Sequence, residues 1–237
     1  MLVILAMSSR QGHDPRIQTF LQWVQQNCVN GLRDIENDPD SPFVPSGLVR
    51  EYFKNRAHVQ DLLDALFGES AWFDIINIET IQKGYPRTFA IAVCSGLGQH
   101  IHTFIQHCLD DGRLPFLVEP KTFPKGTEEA NDLFASFYRG QWAFCSPRFE
   151  RQMDRIFEPD YILPIIKREI ITEGVSGRVY KVWLHERHNF LCVTMPDSVE
   201  PAVSEMHPHP DRLDSLRSHD WMANYVPRRR NLPTPSF

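Results

Sequence analysis

Apolar residues recur at helical spacing from Ile17 to Tyr138, and the chain changes to a two-residue alternation beyond Ile162. Asp14-Pro15 supplies an N-cap followed by proline at the first helical position, where the missing N–H costs nothing. Ile17, Phe20, Leu21, Val24 and Cys28 then form one apolar stripe, which predicts an amphipathic helix running until Gly31. Glu36 to Pro45 is crowded with Asp, Pro and Ser and reads as a loop. Ser46 is positioned to cap a second helix through Leu48, Val49, Tyr52 and Phe53. Asn55 or Ala57 opens a third, with Val59, Leu62, Leu63 and Leu66 ahead of Gly68.

A longer periodic run from Asp74 to Cys94 contains Pro86, which should kink or split it. Gly96 and Gly98 precede a helix bearing Ile101, Phe104, Ile105 and Cys108. Three prolines between Arg113 and Gly126 predict an extended connection, followed by a helix over Glu128 to Tyr138 and a short one near Gln152 to Phe157. Ile165 to Thr172 and Arg178 to Leu184, rich in β-branched and aromatic residues around a glycine-bearing turn, predict a β-hairpin. Phe190 to Val193 could add a third strand. Beyond Met195, prolines interrupt almost every segment, and the composition is that of a disordered tail.

Composition narrows the function classes. Thirty acidic against 25 basic side chains leave a net charge of −5, so no electrostatic attraction to nucleic acid or to acidic membrane is expected. Arg228-Arg229-Arg230 is the one dense basic cluster, and it reads as solvated tail. Five widely spaced cysteines without a C-x-x-C pair indicate neither a disulfide framework nor a zinc site, which fits a reducing, intracellular and cytoplasmic setting. The apolar start, Met1 to Met7, is short for a signal sequence and has no basic residue before it. No run approaches the roughly 20 apolar residues that span a bilayer.

Several candidate sites dissolve on inspection. Gly96-Leu97-Gly98 lies between helices and lacks the preceding strand and third glycine of a dinucleotide loop. His100 and His107 share a helix face from which His102 is turned away, so one metal ion could not collect all three. No G-x-S-x-G elbow is present, and the cysteines read as buried apolar groups.

The informative stretch is Ile170-Ile171-Thr172-Glu173-Gly174-Val175-Ser176-Gly177-Arg178-Val179-Tyr180-Lys181-Val182. It resembles the glycine-rich loop of protein kinases, G-x-G-x-x-G-x-V, with Gly174, Gly177 and Val179 in register and Thr172 in place of the first glycine. Trp142 to Phe149, Ile162 to Ile165 and Val179 to His185 look like the corresponding part of fungal protein-kinase-like proteins. Gln22-Trp23, Asn30 to Ile35 and Pro42 to Pro45 are similar to the helical leader that precedes the kinase domain there.

That resemblance implies a mainly α chain in three parts. These are a helical leader or interaction domain over 1–158, a partial kinase N-lobe over 159–195 forming a small antiparallel β-hairpin or three-strand remnant, and a disordered tail over 196–237. It implies weak binding of ATP as cofactor at Thr172, Gly174, Gly177 and Val179 and a protein partner for the leader, while the residues themselves indicate no metal site. The third-strand lysine, the H-R-D Asp and the D-F-G Asp are all missing, and no lysine follows Lys181. The expectation is therefore a truncated kinase-like protein with weak ATP binding and no phosphotransfer of its own. The alternative is a helical adaptor in which Gly174 and Gly177 merely form a turn.

Overall fold

The computed structural model describes residues 14–33, 41–69, 71–73, 76–121, 123, 128–151, 153, 156–174 and 177–191. The apolar start, Met1 to Met7, and the expected disordered tail both lie outside these residues. The fold is mainly α, with small two-stranded sheets beside the helices. In chain order the elements are α1 Pro15–Asn27, β1 Val29–Gly31, β2 Ser41–Phe43, α2 Leu48–Phe53, α3 Arg56–Phe67, α4 Ile78–Gly84 and α5 Pro86–Cys94. They continue with α6 Ile101–Gln106, α7 Glu128–Gln141, β3 Phe149–Glu150, β4 Ile165–Gly174, β5 Gly177–Leu184 and β6 Asn189–Phe190.

The caps mark where sequence and structure agree. Asp14 accepts from the Arg16 N–H at 2.8 Å, and Asn55 caps α3 by accepting from the Ala57 N–H at 3.1 Å. Pro86 splits the long periodic run as expected and becomes the first residue of α5. Three assignments differ. The first helix stops at Asn27 because Val29–Gly31 is drawn into antiparallel pairing with Ser41–Phe43, part of the stretch read as loop. The cap of α2 is Gly47, at φ +88°, rather than Ser46, because only glycine takes that left-handed backbone at little cost. The third strand exists as β6, but it pairs in parallel with β3 instead of extending the hairpin. Of the short helix expected near Gln152 to Phe157, positions 152, 154 and 155 lie outside the described residues, and Met153, Ile156 and Phe157 are not helical.

Helix α5 is the centre of the core. Apart from Arg87, its side chains from Pro86 to Cys94 are buried, the all-round apolar surface of a helix enclosed by others. It contacts α2, α4, α6 and α7. Phe20, Phe53 and Phe89 form a continuous aromatic column, with ring centroids 5.5 Å apart at each step. Phe104 and Phe137 meet at 4.5 Å on another side.

The first turn of α5 is tied down by a buried carboxylate. Asp111 accepts from the Arg87 and Thr88 backbone N–H groups at 3.0 and 2.9 Å, and from the Thr88 hydroxyl at 3.1 Å. Arg87 returns the contact by donating to the Asp111 carbonyl at 2.7 Å. A carboxylate that meets the free N–H groups of a helix start satisfies them and opposes the positive end of the helix dipole.

A smaller second cluster, Phe43, Trp142, Phe149, Phe157, Tyr161 and Ile162, packs beneath the hairpin with Leu184 and Leu191 against it. Replacing Asp111 by Ala strands the buried Thr88 N–H and the part-buried Arg87 N–H, while the Thr88 hydroxyl keeps the Leu109 carbonyl, with an expected loss of about 2 kcal/mol. For a chain of this size that is a fall of roughly 4–8 °C in melting temperature. Asp111→Asn, which keeps one acceptor, should fall between, and an unshifted Asp111→Ala melt would show that the carboxylate does not hold the helix.

Candidate functional site

The four residues that match the glycine-rich loop meet at the tip of the β4–β5 hairpin. Gly174 pairs with Gly177, Glu173 with Arg178, and Thr172 with Val179 across the antiparallel ladder. Two residues, Val175 and Ser176, lie between the glycines and are outside the described ones. The ladder is irregular between Ile170 and Thr172, so Ile171 is an extra residue on β4 that bends the strand just below the tip.

Strand alternation sorts the hairpin side chains. Val179, Lys181 and Trp183 share one face of β5, and the Lys167 and Lys181 ammonium groups lie 4.4 and 4.9 Å from the Trp183 ring centroid. On the opposite face the Arg168 guanidinium lies 5.6 Å from the Tyr180 ring. At the tip, Arg178 is paired with Glu173 at 2.8 Å. Neither face of the outer hairpin is covered by described residues: Ile171 is 64% exposed, Ile170 55% and Val179 42%.

A half-open cleft of about 180 Å³ lies instead at the hairpin base, lined by Asn30, Gly31, Leu32 and Ile165 to Arg168. It is smaller than the roughly 300 Å³ at which small-molecule sites begin. One terminal nitrogen of Arg168 is buried without a hydrogen-bond partner. Among the described residues no group of three or more His, Cys, Asp or Glu could hold a metal ion. Burial pushes the Cys28 thiol up to about 11 and the Cys145 thiol up to about 12, so neither carries the thiolate of a nucleophile.

The hairpin is anchored at its root. Leu163 exchanges backbone hydrogen bonds with Leu32 at 2.6 and 2.9 Å. Gly31 makes that approach feasible, because a Cβ there would lie 2.5 Å from the Leu163 carbonyl oxygen. Beyond β5 the chain turns through Glu186–His188 and returns to the helical part. His188 is buried, donates from Nδ1 to the Pro147 carbonyl at 2.8 Å and accepts at Nε2 from the Ser46 N–H at 2.9 Å. A carbonyl can only accept and an amide N–H can only donate, so these neighbours fix the neutral tautomer.

The Phe43 ring packs edge-on against both His185 and His188, at 5.9 and 5.3 Å. Arg187 forms a forked pair with Glu51, at 2.9 and 3.3 Å. Arg148 donates to the Ser46 hydroxyl at 3.1 and 2.8 Å and lies 5.4 Å from the Phe190 ring. None of these anchors is suggested by sequence spacing, because Ser46 and His188 are 142 residues apart.

Burial depresses His188 from its ordinary 6.5 to about 4, against the opposing pull of the Pro147 carbonyl, with His185 and Arg148 nearby adding smaller downward effects. The unfolded chain therefore takes up a proton below about 6.5 that the folded chain refuses until near 4. The stability that the neutral imidazole contributes is complete above pH 6.5 and is lost as pH falls towards 4. His188→Gln should melt lower at pH 7 and lose less between pH 6.5 and 4.5 than the parent. Parallel melting curves against pH would refute this role for the imidazole.

No family model matches the chain, and neither a curated protein nor a solved structure matches it. Among the described residues no helix is long and apolar enough to cross a membrane.

Proposed function

We propose that this chain is a kinase-like protein that binds ATP weakly at its hairpin tip and transfers no phosphate by itself, while its helical part makes contact with a protein partner. The observation that supports this most is the ladder register: Gly174 opposite Gly177, one pair beyond Glu173–Arg178 and two beyond Thr172–Val179. Two glycines closing a two-residue hairpin let phosphate oxygens approach backbone N–H groups that a Cβ would shield. Val179, on the strand that leaves the turn, offers an apolar contact to the base.

Affinity is weak on this reading for stated reasons. Arg178 is engaged by Glu173, whose carboxylate repels phosphate, and Lys167 and Lys181 lie around Trp183 further down the strand. The described residues also leave the Val179 face open, so a base would be covered on one side only. Transfer requires a cation on the α/β-phosphates, a base for the acceptor hydroxyl and a carboxylate for magnesium. The chain has no lysine after Lys181 and neither an H-R-D nor a D-F-G sequence.

The exposed Ile170, Ile171 and Val179 favour a second reading, a helical adaptor in which the hairpin binds no nucleotide. Thermal unfolding separates the two, since a ligand that binds only the folded chain raises its melting temperature. Millimolar ATP should raise it by about 1–3 °C, and Gly177→Val should abolish the shift. No ATP shift in the parent chain leaves the adaptor. Radiolabelled phosphotransfer with magnesium should stay at background, and turnover above it would end the kinase-like reading as stated.

A further inference from the structure

We infer that Ser46 is a phosphorylation site whose phosphate is received by Arg148 and Arg187. The inference is independent of nucleotide binding at the hairpin tip. It starts from a mismatch of chemistry: Arg148 directs Nε and Nη2 at a single neutral oxygen, the Ser46 hydroxyl, at 3.1 and 2.8 Å. A guanidinium presents parallel N–H groups matched to two oxygens of a carboxylate or phosphate. No carboxylate among the described residues pairs with Arg148, which is exposed and otherwise rests on the Phe190 ring at 5.4 Å.

A second guanidinium approaches the same turn. Nη1 of Arg187 lies 3.5 Å from where a Cβ on Gly47 would stand, next to Ser46 in the chain. Glu51 already engages Arg187, taking one N–H from each terminal nitrogen at 2.9 and 3.3 Å, and so leaves N–H groups on the same guanidinium. Glu51 also brings an opposing charge, its carboxylate 3.9 Å from that same Gly47 position, and Glu186 adds a second beside Arg187. The Ser46 backbone is fixed by its N–H bond to His188 at 2.9 Å, which holds the turn in place while Arg148 reaches the hydroxyl. Ser46 is partly exposed and Gly47 is exposed, so the hydroxyl is open to another protein.

The modifying agent is a separate protein kinase using ATP. An Oγ–P bond forms at Ser46 as the β,γ-anhydride bond of ATP breaks. ADP leaves, and the hydroxyl proton passes to the base of that kinase. The product carries a charge of about −1.5 to −2 at pH 7, with three strong acceptor oxygens. The bonds that Arg148 donates to a neutral hydroxyl become ion-paired bonds to phosphate oxygens, and Arg187 is shared between the phosphate and Glu51. The loop before α2, the segment before β3 and the turn after β5 are thereby cross-linked, which clamps the root of the hairpin to the helical part.

The test uses the full chain with phosphoserine encoded at position 46. Its melting temperature is compared with that of the unmodified chain, in the parent, Arg148→Ala, Arg148→Lys and Arg187→Ala backgrounds. Phosphate should raise the parent melt by about 2–4 °C, should raise it less with Arg148→Lys or Arg187→Ala, and should fail to raise it with Arg148→Ala. An unchanged or lowered parent melt, or an equal rise without Arg148, overturns the receiving site. Peptide mapping of the protein recovered from its own cells should find phosphate on Ser46, and recovery of the Ser46 peptide only in unmodified form overturns the modification.

Discussion

A buried imidazole with a donor on one side and an acceptor on the other holds this fold's two unlike parts together. His188 joins the turn after the hairpin to the Ser46 N–H and the Pro147 carbonyl, segments 142 and 41 residues away along the chain. Around it the Phe43 ring, the Arg187–Glu51 fork and the Leu32–Leu163 backbone pair add contacts of different physical kinds. Removing the imidazole would leave the Pro147 carbonyl and the Ser46 N–H without their partner, a cost that exceeds the net worth of the hydrogen bond itself. The hairpin is therefore fixed at its root while its outer half stands free of the described residues.

That division explains why the hairpin combines a defined backbone with exposed apolar side chains. Ile165, at the root, is buried, whereas Ile170 and Ile171, a few residues further out, are exposed. Two strands alone are marginal in water, and here the stability is supplied from below. At the tip the nearest cation, Arg178, is already paired with Glu173. On the proposed reading that pairing favours contact over chemistry, because no free cation among the described tip residues would stabilise charge that develops during transfer.

Much of the helical part was legible in the sequence because its signals are local. An N-cap side chain, a proline at a helix start and a stripe of apolar residues act within a few positions, so Asp14, Asn55 and Pro86 mark real boundaries. The hairpin was legible for the same reason, with both strands found where β-branched residues cluster. The β1–β2 pair was not, since Ser41-Pro42-Phe43 is a poor strand by composition and becomes one only because Val29–Gly31 lies opposite it. The anchors were invisible for a related reason: a lone histidine or an isolated arginine has no periodicity, and its meaning depends on a partner brought in from far along the chain.

The distance between those partners bears on the order in which the molecule assembles. Helices close loops of a few residues, but the Arg187–Glu51 and His188–Ser46 contacts span 136 and 142 residues. Loop closure grows only logarithmically with length, about 0.6 kcal/mol for each doubling, so such contacts are affordable once and in concert. They offer little to a chain whose helices have not yet packed, because Ser46, Glu51 and Pro147 are then not gathered on one surface. Docking of the hairpin root is thus a late event that reads out whether the helical part has already folded.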